Sequence, residues 1–566
     1  MKIPSKVKSL FWIALVISVL VLSWVGLSQL YPETNTLRYL PDRIFRLVKI
    51  LMGNDPALPK VEQADVPLAL IIVKVLITII LLRALLKIVE KVFHEQYTHM
   101  RIACKKGHLI VVGIGNKGSR ILKDYQAQTA RSAVAIEQKS DHANLSALRR
   151  DGHAVVIGNA TDENVLQTAG ALKARTVICF GDDEQTGIQA AGKLAELYAR
   201  QKPGHVLRCF VHLEDPRLVE VFQQHGHAHV DSGVDVRFFN LHKVIARNFF
   251  HRLPHLLADT LQHPQAKVQF LLLGFDAAAQ ALLVQAMRVF HLLPGQGSAW
   301  HVLAQGMTGK AAQFHDRYPH IARIAPLQFT EDTGCYAQWI QPYIQQESAC
   351  EQTVVICASD DDRANLLAAA EILHASAQQS FPVFVLNAGG KAMAGLLSGH
   401  ASARLHFFGD YDDFCKYELI TGTRQDDLAR AIHNDYLQQI SGAASESAAY
   451  QTAWDDLSED AKDANRAQAD HIVYKLLLTG KQNAMQTSAA LQFTPAEIEQ
   501  LAVAEHARWA AHRYLNGWQY GATRDDARKL HPSLIDWEQL SDSERQKDHH
   551  TVLRLPQILQ AVYGRR

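Results

Sequence analysis

Gly113, Gly115 and Gly118 stand in the stretch Val111 to Ser119, "VVGIGNKGS", at the G-x-G-x-x-G spacing of a dinucleotide-binding turn. The first glycine permits a tight turn, the second lets a pyrophosphate approach the backbone, and the third lets a helix pack closely on a strand. The chemistry such residues offer is phosphate binding, not bond making. Glu137 closes the next apolar run, "SAVAIE", about twenty residues on, where a carboxylate accepts hydrogen bonds from ribose hydroxyls. That carboxylate favours NAD, NADH or an adenine nucleotide over a ligand with a phosphorylated ribose. To position these groups the chain needs a strand over Leu109 to Val112 and a helix containing Ile121 and Leu122, and both hydrophobic patterns are present.

The following segments, "HAVVIGNATDENVLQTAGALKARTVICFGDDEQTGIQAA", resemble the TrkA-N family, the N-lobe of RCK domains that regulate potassium channels and transporters. The resemblance spans about residues 107 to 250, with the family's Gly-Asp-Ala-Thr turn written here as Gly158-Asn159-Ala160-Thr161. Asn159 keeps the hydrogen bonding of the family aspartate and loses its charge. The resemblance implies that Gly113, Gly115, Asn116, Gly118, Glu137, Asn159, Ala160 and the strand-end pair Gly181 and Asp182 line a bound nucleotide. It also implies NAD(H) or an adenine nucleotide held as an effector, and a homo-oligomer assembled through the Rossmann-like lobes.

An internal repeat follows. "VICFGDDE" (Val177 to Glu184) returns as "VICASDDD" (Val355 to Asp362), and "FLLLGFDAAAQALL" from Phe270 sets Gly274, Asp276 and Ala279 where the three glycines stood. With a carboxylate and a side chain facing the phosphate position, the second lobe is expected to keep the fold, lose the ligand, and serve as a structural lobe or dimer face.

From Leu501 the chain resembles the ryanodine-receptor repeat (RyR) domain, through Leu501, Ala502, His506, Trp509, Gly517-Trp518, Tyr520-Gly521, Arg524-Asp525-Asp526, Lys529, His531-Pro532, Leu534, Leu540 and Asp548. A degenerate copy precedes it: Leu428 to Tyr436 parallels "LAVAEHARW", and Trp454 to Arg466 parallels "WEQLSDSERQKDH". Two helical halves about a pseudo-twofold axis are therefore expected. In the intact copy Trp518 and Tyr520 could stack a base, Arg524 could meet a phosphate and Asp525 could order that arginine. The competing reading is that these residues only staple a small helical domain.

The N-terminal hundred residues differ in kind. Residues 1–106 carry 15 Lys and Arg against 7 Asp and Glu, although the whole chain has a net charge of +1, so the excess belongs to a membrane flank and no nucleic-acid partner is expected. Leu10 to Leu27 runs without a charge behind Lys2, Lys6 and Lys8, and a second apolar run covers 66–86 with a basic C-terminal flank. Together they predict a two-span hairpin in the lipid bilayer with both termini cytoplasmic, in a bacterial cell membrane. Arg43, Arg46 and Lys49 oppose Ile44, Leu47, Val48 and Leu51, which predicts an amphipathic helix between the spans. The loop "LMGNDPALPKVE" has no carbonyl filter of the Thr-Val-Gly-Tyr-Gly kind, so potassium selectivity is not assigned. Lys74, inside the second span, either snorkels outward or faces a wet lumen. The 7 cysteines show no CxxC pairing and His225, His227 and His229 read as surface histidines, so no metal is expected.

These readings combine into an α/β chain with an N-terminal two-helix membrane hairpin (1–106), tandem Rossmann-like doubly wound domains (107–255 and a degenerate 256–424), and a C-terminal all-α RyR-type domain (425–566). The function expected is a membrane-anchored nucleotide sensor, an oligomeric ligand-gated ion channel (potassium or weakly selective) or transport regulator. The alternatives are a pore-less sensor or scaffold in a nucleotide-signalling or antiphage pathway, and an NAD-dependent oxidoreductase. An enzyme is not expected, because no substrate domain with a placed proton donor is recognisable.

Overall fold

Short apolar runs punctuated by glycine become parallel strands, the central ones buried on both faces. The computed structural model describes residues 5–30, 49, 67–181, 183–225, 233–344, 351–389, 403–422, 426–440, 451–485 and 491–564. The chain divides into two units, Met1–Cys104 and Lys105–Arg566.

In the larger unit, β1 (Leu109–Val112), β2 (Val134–Glu137), β3 (Ala154–Ile157), β4 (Thr176–Cys179), β5 (Leu207–His212) and β6 (Val234–Phe239) pair in the order β3-β2-β1-β4-β5-β6. The second sheet holds β7 (Lys267–Leu273), β8 (Gly297–Ala304), β9 (Leu327–Glu331), β10 (Glu351–Cys357), β11 (Val383–Leu386) and β12 (Leu405–Phe408). Its order, β12-β11-β10-β7-β8-β9, is the same winding read from the other edge. This is the doubly wound order, whose switch point lies between the first and fourth strands of each sheet. Val112 is in register with Ile136 on one side and Cys179 on the other, which puts the glycine turn at that switch point.

The helix Leu241–Leu256 joins the two sheets. Phe249, Phe250 and Leu253 sink into the core of the second, where Phe270 and Trp300 stack with ring centroids 4.1 Å apart, and Val473, Tyr474 and Leu477 of the helical region close the same core. Pro254 lies inside that helix and has no N–H to give the Phe250 carbonyl one turn back. The Tyr474 hydroxyl donates to that carbonyl at 2.8 Å, so one side chain repairs the break and ties the helical region to the joining helix.

The helical region carries its own duplication in its geometry. Trp454 and Trp537 each begin a single 3-10 turn that leads through an extended leucine to a serine-capped helix, Glu459–Leu478 and Asp542–Tyr563. His433 lies 2.8 Å from the Thr452 carbonyl and His506 lies 3.0 Å from the Ile535 carbonyl, two residues before each tryptophan. The helix Pro495–Leu515 starts on a Thr494 and Glu497 capping box.

The unit Met1–Cys104 contains the helices Ser5–Leu30 and Leu68–Ala103, packed through Val19, Val73 and Ile77. Among the described residues no helix is long and apolar enough to cross a membrane. The expected spans over 10–27 and 66–86 are therefore not supported by the described residues. Lys74 lies on the second helix with its side chain outside the described residues, as does the expected amphipathic helix over 43–51 apart from Lys49.

Candidate functional site

At the end of β1 the chain turns through Gly113, whose φ of +83° belongs to glycine, and a Cβ there would stand 2.1 Å from the Phe180 carbonyl oxygen. A Cβ on Gly118 would stand 1.9 Å from the Gly113 oxygen, so the helix Asn116–Thr129 packs against the turn as closely as a glycine allows. Over Gly115 nothing lies within 4 Å. That helix starts with no side-chain cap and no acidic residue in its first turn, leaving its N-terminal N–H groups for an outside acceptor. Asn116 is exposed at this end.

Glu137 does more than the sequence suggested. It is buried, its Oε2 accepts from the Ile114 N–H at 3.1 Å, and its Oε1 accepts from the Lys139 N–H at 3.0 Å. Asn144 donates to the Ile114 carbonyl at 2.9 Å, so the peptide between the first two glycines is clasped from both sides. Glu137 thus braces the turn as well as ending its strand, leaving only the second lone pairs of its oxygens for a ribose. Asn144 was not singled out in the sequence, where nothing marks a side chain that reaches back over thirty residues.

The other expected residues gather at the same edge. Asn159 is exposed and accepts from the Thr161 N–H at 3.0 Å, Ala160 is buried, and Gly181 follows β4. Asp182 lies outside the described residues. Asp183 caps the helix Glu184–Gln201, and hydrogen bonding from Thr186 holds its carboxyl below the usual range. Lys117 bonds Glu214 at 2.9 Å and lowers that carboxyl. Behind the edge, burial pushes His212 down to about 2, so the ring between Phe180 and Phe239 is neutral.

In the helical region, Trp518 is buried beneath the Arg513 guanidinium, 4.6 Å from its ring centroid, while Tyr520 is exposed. Arg524 bonds Asp526 at 2.7 and 3.2 Å. Asp525 instead accepts from the Arg528 N–H at 3.0 Å and closes a backbone bridge with Leu530, which corrects the expectation that it orders Arg524. Two residues of spacing, and not one, let the guanidinium fold back on a carboxylate. Burial, with Arg513 adding to it, pushes His531 down to about 4.

Residues 109–232 match the TrkA-N domain. Residues 492–563 match the RyR domain. Among solved structures, the GsuK channel is similar at 14% identity over 74% of this chain and 99% of that one, with a TM-score of 0.35. The GsuK channel bound to NAD is similar at 12% identity over 75% and 85%, with a TM-score of 0.36, and GsuK bound to ADP at 15% over 72% and 96%, with a TM-score of 0.33.

The second lobe shows what the TrkA-N turn would look like closed. Gly274 keeps its positive φ of +93°, but Asp276 stands where Gly115 does, bonds Lys310 at 2.9 Å and accepts from the Asp360 N–H at 3.4 Å. A carboxylate at a helix N-terminus fills the anion position from within. Tyr198 and Lys202 have a Tyr-x-x-x-Lys spacing, but the Tyr198 hydroxyl is buried and donates to the Ala171 carbonyl at 2.9 Å.

Proposed function

We propose that this chain is a membrane-anchored nucleotide sensor whose TrkA-N lobe takes NAD(H) or an adenine nucleotide as an effector and, as an oligomer, controls an ion flux or a transport step. One observation carries the reading: the space over Gly115 is open at an uncapped helix start, whereas the matching turn of the second lobe is filled by Asp276. The clasped Ile114 peptide adds a rigid backbone against which a pyrophosphate can be held.

The same helix offers a route for the signal. Arg120 bonds Asp412 at 2.6 Å, Asp124 accepts from the Tyr417 N–H at 2.8 Å, and Tyr125 packs edge-on against Tyr417, so the segment after the second sheet rests on the helix that receives the phosphates. A ligand that prefers one setting of that helix shifts the contacts with it. The anchor reading draws on outward-facing Ile17, Val21, Val75 and Leu82, which more than half expose apolar surface that lipid would cover.

Ion flux from liposomes holding the full-length protein tests this. Flux that appears or disappears with NAD, NADH, ATP or ADP, and is unresponsive in Gly115→Asp, supports gating. Nucleotide binding without any flux would leave a pore-less sensor, the reading that the missing filter sequence favours. Steady consumption of NADH with a substrate would make the chain an oxidoreductase.

A further inference from the structure

A cavity of about 400 Å³ lies where the helices of both Rossmann lobes meet the helical region, away from the glycine turn. One wall is apolar, with Phe222 and Phe238 stacked 4.4 Å apart beside Val219 and Val284. The other walls are charged, and most of those charges are matched: Arg237 with Asp235, Arg247 with Asp470 and Asp426, and Arg466 with Asp426, Glu459 and Asp463.

At one end the matching fails. Lys243, Arg288 and Arg317 converge from three helices, Leu241–Leu256, Ala277–Val289 and Met307–Arg317. Glu220 serves two of them, reached by Arg317 at 2.6 Å at an angle too poor for a hydrogen bond and by Lys243 at 3.6 Å. Arg288 has Asp463 at 3.8 Å, a carboxylate already bonded to Arg466 at 2.8 Å, and its Nε is buried with no hydrogen-bond partner. Asp215 and Asp460 add only longer-range attraction to Arg317 and Arg288, so the buried Arg288 Nε keeps no hydrogen-bond partner, a costly arrangement that an anion relieves. Burial pulls the Lys243 ammonium below the usual lysine range, a cost that a bound anion would also offset.

We propose that this cavity is a second ligand site, for a phosphorylated small molecule whose phosphate meets Lys243, Arg288 and Arg317 and whose apolar part lies along Phe222 and Phe238. The volume falls within the range of small-molecule pockets. Because the three cations come from the joining helix and the second lobe while Phe222 and Phe238 belong to the first, the ligand ties the lobes together independently of the TrkA-N turn. The site stands whether or not that turn binds a nucleotide.

Calorimetric titration of the full-length Gly115→Asp protein with inorganic pyrophosphate isolates this cavity. Saturable binding is expected, weakened about tenfold or more by Arg288→Gln and, separately, by Lys243→Met. Circular dichroism selects the variants that fold, and Arg317→Gln provides a third if either fails. Three results would overturn the inference: no saturable binding in the millimolar range, equal binding by all cation variants, or binding to the parent chain that vanishes in Gly115→Asp.

Discussion

Gly115 and Gly118 are separated by two residues and carry opposite demands. A Cβ at Gly118 collides with the Gly113 oxygen at 1.9 Å, so Gly118→Ala must push helix from strand and is expected to lower stability by about 1–3 kcal/mol or more. Gly115 has an ordinary φ of −57° and empty space above it, so Gly115→Asp should leave the urea midpoint unchanged while placing a carboxylate where Asp276 sits in the second lobe. A second residue-scale expectation concerns acid. Burial pushes His471 down to about 4 and His291 to about 3; each Nε2 bonds a backbone carbonyl, and Glu505, 3.8 Å from the other His471 ring nitrogen, offsets that burial only in part. Unfolded histidine titrates near 6.5, so below about that pH the unfolded chain binds protons that the fold refuses. Stability is therefore whole above about pH 6.5 and is lost as pH falls toward about 4. Urea unfolding at pH 7 and pH 5 should show this loss, and His471→Asn should reduce it. The glycine triad was legible because each glycine answers a steric demand of its own turn. The partner of Arg524 and the bracing role of Glu137 were not, because they depend on which way a side chain folds back.

At the scale of elements, Tyr474→Phe removes a donor that reaches the carbonyl freed by Pro254. The hydroxyl is buried, so the cost should be about 1–3 kcal/mol in urea unfolding, whereas the same change at the exposed Tyr520 should cost close to none. Beside it, Glu505 binds Lys475 at 2.5 Å and Arg508 at 2.8 Å; burial pushes its carboxyl up, but those two cations outweigh it and hold it well below the usual range. The first fixes the helical region to the joining helix, and the second locks the helices Glu459–Leu478 and Pro495–Leu515 to each other. Their elements were legible in the sequence, since "VICFGDDE" and "VICASDDD" became β4 and β10 with the same neighbours, and the two tryptophan turns became equivalent caps. The joints between elements were not legible, because Phe250 and Tyr474 belong to different hydrophobic patterns that meet only in the folded core. The cavity beside Arg288 was hidden for the same reason.

At the scale of the whole molecule, one unit holds an open TrkA-N turn, a closed copy of it and a duplicated helical region, with an apolar helix pair ahead of them in sequence. The central claim is that the open turn is the nucleotide input. The most direct test is calorimetric titration of the full-length protein with NAD, NADH, ATP and ADP, beside Gly115→Asp and Arg524→Ala. The account predicts saturable binding of at least one of these nucleotides, lost in Gly115→Asp and retained in Arg524→Ala. Binding retained in Gly115→Asp and lost only in Arg524→Ala, or no nucleotide binding at all, would contradict it.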